Sequence, residues 1–403
     1  MHYPRTLSGV IDRASSSFKV VMLTGMRQVG KTTLLSNLAG ENRAYLTLDD
    51  ARTLKMAKED PYLFFETYKA PLLIDEVQYA PELFSHIKML VDASDEAGLI
   101  WMTGSQRFLL MKGVSETLAG RMALIDLHGF SLYERENMAL QHRPFIPAAG
   151  PALGLLRRSA AETFDIIWKG SFPGLITKND ADWELFYSSY VKTYIERDVR
   201  QLANVGDELA FYNFLRASAA RTGQELNLSA LAGDVGVTVN TAKAWLSVLR
   251  ASGIVYLLPP YSQNITRRVV KRPKLYFLDT GLVAYLTDWN TGTQLMTGAM
   301  SGAIFETFVF GEILKSYNHN GKQASLHYYR DANKAEIDLL IAQDGKLHPV
   351  EIKKTASPDS RMVKNFEILE KLGYTAGHGA LVCLTDKPFP LTRNVTALSV
   401  WDM

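Results

Sequence analysis

Eight consecutive residues can hold a triphosphate. Gly25, Met26, Arg27, Gln28, Val29, Gly30, Lys31 and Thr32 follow the order G-x-x-x-x-G-K-[ST] of a phosphate-cradling loop. The glycines let the backbone curl until several N–H groups face one anion. Lys31 would neutralise the outer phosphates, the Thr32 hydroxyl would hold Mg²⁺, and Thr33 is the next group at the anion. Downstream, Asp75 and Glu76 end the short apolar run of residues 71–74. Asp75 would hold Mg²⁺ directly or through water, and Glu76 would orient and activate the attacking water. The competing reading is a strand end with two solvated acids. Ser105, with Gln106 next, would sense the γ-phosphate or the lytic water. Arg107 or Arg121 would act as an arginine finger, from this chain or from a neighbouring copy.

A second set of acids lies near the other end. Residues 335–342 and 346–353 both read as strands, and Asp344-Gly345 between them is a two-residue hairpin signal. Pairing Gln343 with Lys346 puts Asp338 opposite Glu351 and Glu336 opposite Lys353, all on one face. Facing carboxylates repel unless a cation sits between them, and a divalent metal there would polarise a phosphodiester. Lys353 would steady the attacking water or the developing charge. Pro349 inside the second strand implies an edge position or a bulge. Upstream, residues 303–310 form a helical stretch with Glu306 as its lone acid.

These groups need elements to place them. Residues 18–24 read as the strand before the phosphate loop, residues 33–38 as the helix after it, and residues 71–74 and 99–106 as buried parallel strands. From Gly129 to Leu202 the pattern becomes helical. Residues 228–237 read as a helix and tight turn, residues 238–249 as a second helix with Thr238 as N-cap, and residues 254–258 as a strand. Two short helices, a turn and a strand are similar to a winged helix-turn-helix. Its second helix would expose Asn240, Thr241, Lys243 and Ser247. The following wing carries Arg267, Arg268, Lys271, Arg272 and Lys274, a cluster able to neutralise phosphates. Winged helices also serve as protein–protein modules.

The series of residues 25–32, 72–76 and 103–121 resembles the AAA-type ATPases of the archaeal-ATPase kind. That resemblance implies a RecA-like parallel sheet, ATP as the nucleotide and a helical lid over it. Asp338 with Glu351-Ile352-Lys353, and Glu306 by position, resembles the D…E-x-K core of PD-(D/E)xK, restriction-endonuclease-like nucleases. The expected architecture is α/β: an ATPase domain over residues 1–135, a helical lid over 136–205, a winged helix over 206–265 and a nuclease-like domain over 266–403. It implies ATP and Mg²⁺ as cofactors, DNA as partner, and a homo-oligomer if the finger comes from a second copy. The rival reading is a switch ATPase whose nuclease-like domain only recognises a partner. A metabolic kinase is a third, and Glu76, suited to water activation, argues against it.

The chain as a whole narrows the classes. Its 403 residues suit two or three domains, and 47% hydrophobic with 21% charged residues is ordinary for a globular protein. A net charge of +2 means any basic surface is local. The single cysteine, Cys383, excludes an intramolecular disulfide, and the 8 histidines lack zinc-ligand spacing. With no signal-like segment and no apolar run long enough for a bilayer, the expected location is cytoplasmic and off the membrane.

Overall fold

Val20–Thr24 (β1) is buried at every position, as a strand covered on both faces must be. In the computed structural model, which describes residues 3–104, 117–149, 154–178, 180–193, 207–262, 272–331 and 333–403, β1 lies inside a parallel sheet. The other strands are Ala44–Thr47 (β2), Leu72–Asp75 (β3), Ile100–Gly104 (β4) and Met122–Asp126 (β5). Their order is β2–β3–β4–β1–β5 and every pair is parallel. Lys31–Ala39 (α1) follows β1 through the phosphate loop. The carboxyl ends of β1, β3 and β4 therefore share one edge, where sheets of this kind place ligands.

A smaller unit follows. Glu208–Ala219 (α2), Gln224–Glu225 (β6), Leu228–Val235 (α3), Val239–Ala251 (α4), Val255–Leu258 (β7) and Lys274–Phe277 (β8) occur in that order. The strands form an antiparallel sheet, β6–β8–β7. Asp207, Asn227 and Thr238 cap the three helices, each accepting a backbone N–H of the first turn. Phe211 and Phe214 of α2 pack against Trp245 of α4, ring centroids 5.3 and 5.5 Å away.

The last unit is built on Ser301–Asn318 (α5). From Phe308 to Tyr317 every residue of α5 is buried, the pattern of a core helix. Six strands lie beside it: Leu326–Arg330 (β9), Glu336–Gln343 (β10), Lys346–Ile352 (β11), Gly379–Cys383 (β12), Phe389–Thr392 (β13) and Val395–Ser399 (β14). Their order is β13–β14–β12–β11–β10–β9. One apolar cluster joins Leu23, Leu246, Phe305, Ile341 and Trp401, so all three units share a core.

Four expectations need correction. The stretch from Gly129 to Leu202 is not helical throughout. It holds helices at Leu132–Arg135, Ala160–Lys169, Pro173–Ile176 and Trp183–Thr193, while residues 142–149 carry none. Pro144 and Pro147 there lack the N–H a helix needs. β8 pairs with β6 and β7, so a boundary at 265/266 would cut one sheet. Pro349 is not on an edge strand, because β11 lies between β10 and β12. It sits where β11 bonds β10 through the Leu340↔Pro349 pair but has not yet begun its Val350↔Ala380 ladder with β12. The β10–β11 ladder ends at Leu339↔Val350 and does not extend to a Glu336–Lys353 pair. On its other side Glu336 pairs with Arg330 of β9, and β10 is irregular against β9 between Ile337 and Leu340.

Candidate functional site

The phosphate loop is shaped by its backbone. Gly25 has φ +144°, and a Cβ there would lie 2.1 Å from the Leu127 carbonyl oxygen, so no other residue fits. Gln28 (φ 63°) and Gly30 (φ 93°) complete the curl. Lys31 then opens α1, and its Nζ donates to the carbonyls of Gly25 (3.0 Å) and Met26 (2.8 Å). The ammonium is held at the mouth of the loop, at the positive end of a helix. Thr33, the next residue but one, is exposed on the first turn. The buried guanidinium of Arg5 fastens the loop from behind, bonding the carbonyls of Val29 (3.1 Å) and His128 (2.6 Å) and pairing with Glu134 at 3.1 Å.

Asp75, at the carboxyl end of β3, collects three hydroxyls. Thr32 Oγ1 donates to it at 2.8 Å, Tyr45 Oη at 3.1 Å, and Thr103 Oγ1 from the end of β4. Burial, then the Asp75 charge, pushes the Tyr45 hydroxyl up to about 12, so it remains a donor. A carboxylate and a hydroxyl side by side are hard oxygen ligands, and they fit Mg²⁺, which takes few protein ligands beside phosphate. Glu76 sits in the left-handed region (φ 57°). Its N–H donates to Thr103 Oγ1 at 3.2 Å, and its carboxylate accepts from the Gln78 amide.

Thr103 was missed by sequence reasoning, although it is the last side chain before Gly104 at the carboxyl end of β4. Ser105, Gln106 and Arg107 lie outside the described residues. Arg121 does not lie at the phosphate loop of its own chain. Its carbonyl accepts from Val20 N at 3.1 Å, which puts it at the amino end of the sheet, opposite the loop. Its guanidinium pairs with Asp92, Nη2 lying 3.0 Å from Oδ2.

The carboxyl-terminal acids do converge. The β10–β11 ladder runs from Gln343↔Lys346 to Leu339↔Val350, and beyond it Asp338 accepts the Ile352 N–H at 3.0 Å. Lys353 Nζ bridges Asp338 (3.0 Å) and Glu351 (2.7 Å). Glu306 projects from α5 and accepts from Tyr276 Oη at 2.5 Å. Burial, then the Asp338 charge, raises both the Glu306 and the Glu351 carboxyl to about 7.

Lys274 corrects two expectations. It is not a wing cation facing solvent, being only 3% exposed. Its Nζ lies 2.6 Å from Glu336, 3.2 Å from Glu306 and 3.6 Å from Asp338. Burial opposes its charge, but Glu306, Asp338 and Glu336 outweigh burial and hold its pKa above the ordinary lysine value. The divalent metal expected between facing carboxylates does not fit this arrangement. Among the described residues no three His, Cys, Asp or Glu side chains form a metal-holding group, and ammonium groups stand between the acids instead.

The exposed face of α4 carries Asn240, Lys243 and Ser247. Arg272 is exposed beside β8. Arg267, Arg268 and Lys271 lie outside the described residues. No helix among the described residues is long and apolar enough to cross a membrane.

Known proteins align with these units. A family profile described as an AAA domain matches residues 17–136. Profiles described as domains of unknown function (DUF8612 and DUF4143) match residues 161–293 and 301–403. Uncharacterized proteins of Mycobacterium tuberculosis (Rv2008c) and Mycobacterium bovis (Mb2031c) are each 29% identical over 401 residues, covering 98% of this chain and 83% of the relative. A Walker-type ATPase of Pyrococcus abyssi is similar with a TM-score of 0.44 and 14% identity over 70% of this chain and 94% of that one. The Holliday junction branch migration motor RuvB of Thermotoga maritima gives 0.31 and 16% over 63% of this chain and 89% of that one. The loop geometry and the match over residues 17–136 together support an AAA-type P-loop ATPase unit in this chain.

Proposed function

We propose that this chain is an ATP-hydrolysing switch that acts on DNA through its two carboxyl-terminal units. The observation that carries the ATPase reading is the hydroxyl–carboxylate chain Thr32–Asp75–Thr103 beside the Lys31 ammonium. Loop amides and Lys31 would bind the β- and γ-phosphates. Bound Mg²⁺ would add charge neutralisation on the phosphate oxygens, held by Thr32 and Asp75. Glu76 would take the proton of the attacking water, and the Thr103 hydroxyl, bonded to both Asp75 and Glu76 N–H, would keep the two acids in register. An arginine finger would come from Arg107 or from a neighbouring copy.

We read the unit from α2 to β8 as a winged helix, which supports the DNA reading. Its α4 face is polar, and in sequence Arg267, Arg268, Lys271 and Arg272 come between β7 and β8, where a wing would be. The last unit is read as restriction-endonuclease-like. The position of Lys274 favours recognition over cleavage there.

The test is phosphate release by the full chain with and without single- and double-stranded DNA, following the DNA on a gel in Mg²⁺. Lys31→Ala should abolish turnover. Glu76→Gln should lower it by about 10²–10⁴-fold and leave nucleotide binding intact. DNA should raise turnover and remain whole. Undiminished hydrolysis by both variants would overturn the ATPase reading. Turnover and binding indifferent to both nucleic acids would favour a switch that addresses a protein.

A further inference from the structure

Lys274 belongs to one structural unit and is buried in another. It leaves β8, the strand shared with β6 and β7, and ends among carboxylates of α5 and β10. Three acids from two elements surround one ammonium at 2.6–3.6 Å. Tyr276, two residues on along β8, reaches Glu306 from the same strand at 2.5 Å. A divalent ion binds carboxylate oxygens at about 2.0–2.6 Å and could not share that space. The cluster nonetheless keeps an unsatisfied acceptor. Glu351 is 6% exposed, its Oε1 pairs with Lys353, and its Oε2 has no hydrogen-bond partner. A buried carboxylate oxygen without a donor is costly, and it is the feature that a cation would satisfy.

We propose that Lys274 is the resident cation of this cluster, standing where a divalent metal would bind and clasping the small three-stranded sheet to the carboxyl-terminal unit. While β8 is docked, the acids are neutralised from within the chain. The clasp is independent of the nucleotide site, so its failure would not touch the ATPase reading.

The experiment is Mn²⁺ titration of the nucleotide-free full chain at about pH 8, where carboxyls that titrate near 7 are ionised. Free Mn²⁺ is read by paramagnetic resonance. Wild type should show no saturable site that depends on Asp338, and Lys274→Met should gain one. The affinity gain should be at least about tenfold, since a cation in contact with three acids has been removed. Adding Asp338→Asn to Lys274→Met should abolish the site. Retained ATP turnover reports that Lys274→Met is folded. A saturable Mn²⁺ site in wild type that Asp338→Asn removes would overturn the proposal, whether or not the lysine variant folds. So would a folded Lys274→Met protein that takes up no Mn²⁺.

Discussion

Asp75 accepts three hydroxyls, and only the one from Thr32 also belongs to the phosphate loop. The Thr103 hydroxyl has the further task of accepting the Glu76 N–H. Thr103→Ala would remove one of the two hydroxyls on Asp75 Oδ1 and, with it, the acceptor of the Glu76 N–H. Each lost bond is worth about 1 kcal/mol, so ATP turnover should fall roughly thirtyfold with nucleotide affinity little changed, and Thr103→Ser should restore it. Equal turnover in Thr103→Ala and wild type, by steady-state phosphate release, would remove Thr103 from the mechanism. At this scale the sequence is read best where chemistry and spacing coincide. Lys31, Thr32, Asp75 and Glu76 stand in motifs that name their partners. Thr103 stands in none, since a threonine ending a strand is ordinary until the neighbouring strand is known. Lys274 was misleading for a different reason. Its neighbours in sequence are basic, but every position of β8 is buried, so Lys274 lies inside, away from the run it belongs to.

Elements were legible where local chemistry decides them. Asp344 (φ 52°) and Gly345 (φ 73°) both have the positive φ of a primed hairpin turn, and Thr238 caps α4 as its side chain allows. Pro349 shows the limit. A proline inside a strand reads as an edge, yet it is tolerated within the sheet because the ladder on one side starts one residue later. An element that local chemistry hardly announces is the helix Thr280–Leu286. Its cap, Asp279, is 1% exposed and accepts from Leu282 N (2.7 Å), Ser171 N (2.7 Å), Ser171 Oγ (2.8 Å) and Tyr187 Oη (2.7 Å). Three of those four donors come from chain more than ninety residues earlier. Asp279→Ala would strand all of them and should cost about 3–5 kcal/mol, seen as a lower urea midpoint at unchanged slope. A loss below about 1 kcal/mol would mean water replaces the carboxylate.

Across the whole molecule, the acid cluster is a joint between two sheets, and it titrates. Glu306 and Glu351 have carboxyls raised from 4.5 to about 7. The folded chain therefore keeps protons that the unfolded chain releases. Their stabilising contribution is full below the ordinary carboxyl range and is lost as pH rises through about 7. A Glu306→Gln, Glu351→Gln double variant should show a denaturation midpoint that falls less than that of wild type across this window. Parallel curves for the two proteins would show that these carboxyls do not set the slope. This coupling could not be read from either half of the sequence, because Lys274 and Glu306 meet only after β8 and α5 have packed.

The same α5 also reaches the nucleotide unit. Glu312 accepts Leu132 N at 2.9 Å, Lys315 donates to the Phe130 carbonyl at 3.0 Å, and Tyr317 Oη donates to the Phe145 carbonyl at 2.8 Å. Glu306, on that helix, stands among the acids three turns earlier. An 18-residue helix spans about 27 Å, so a single rod has one foot in each chamber. A protein assembled this way cannot be dealt out as interchangeable modules. Cut ahead of the rod, the nucleotide half would bare Phe130, Leu132 and Phe145 to water, and the remainder would lose the post on which its sheet is hung.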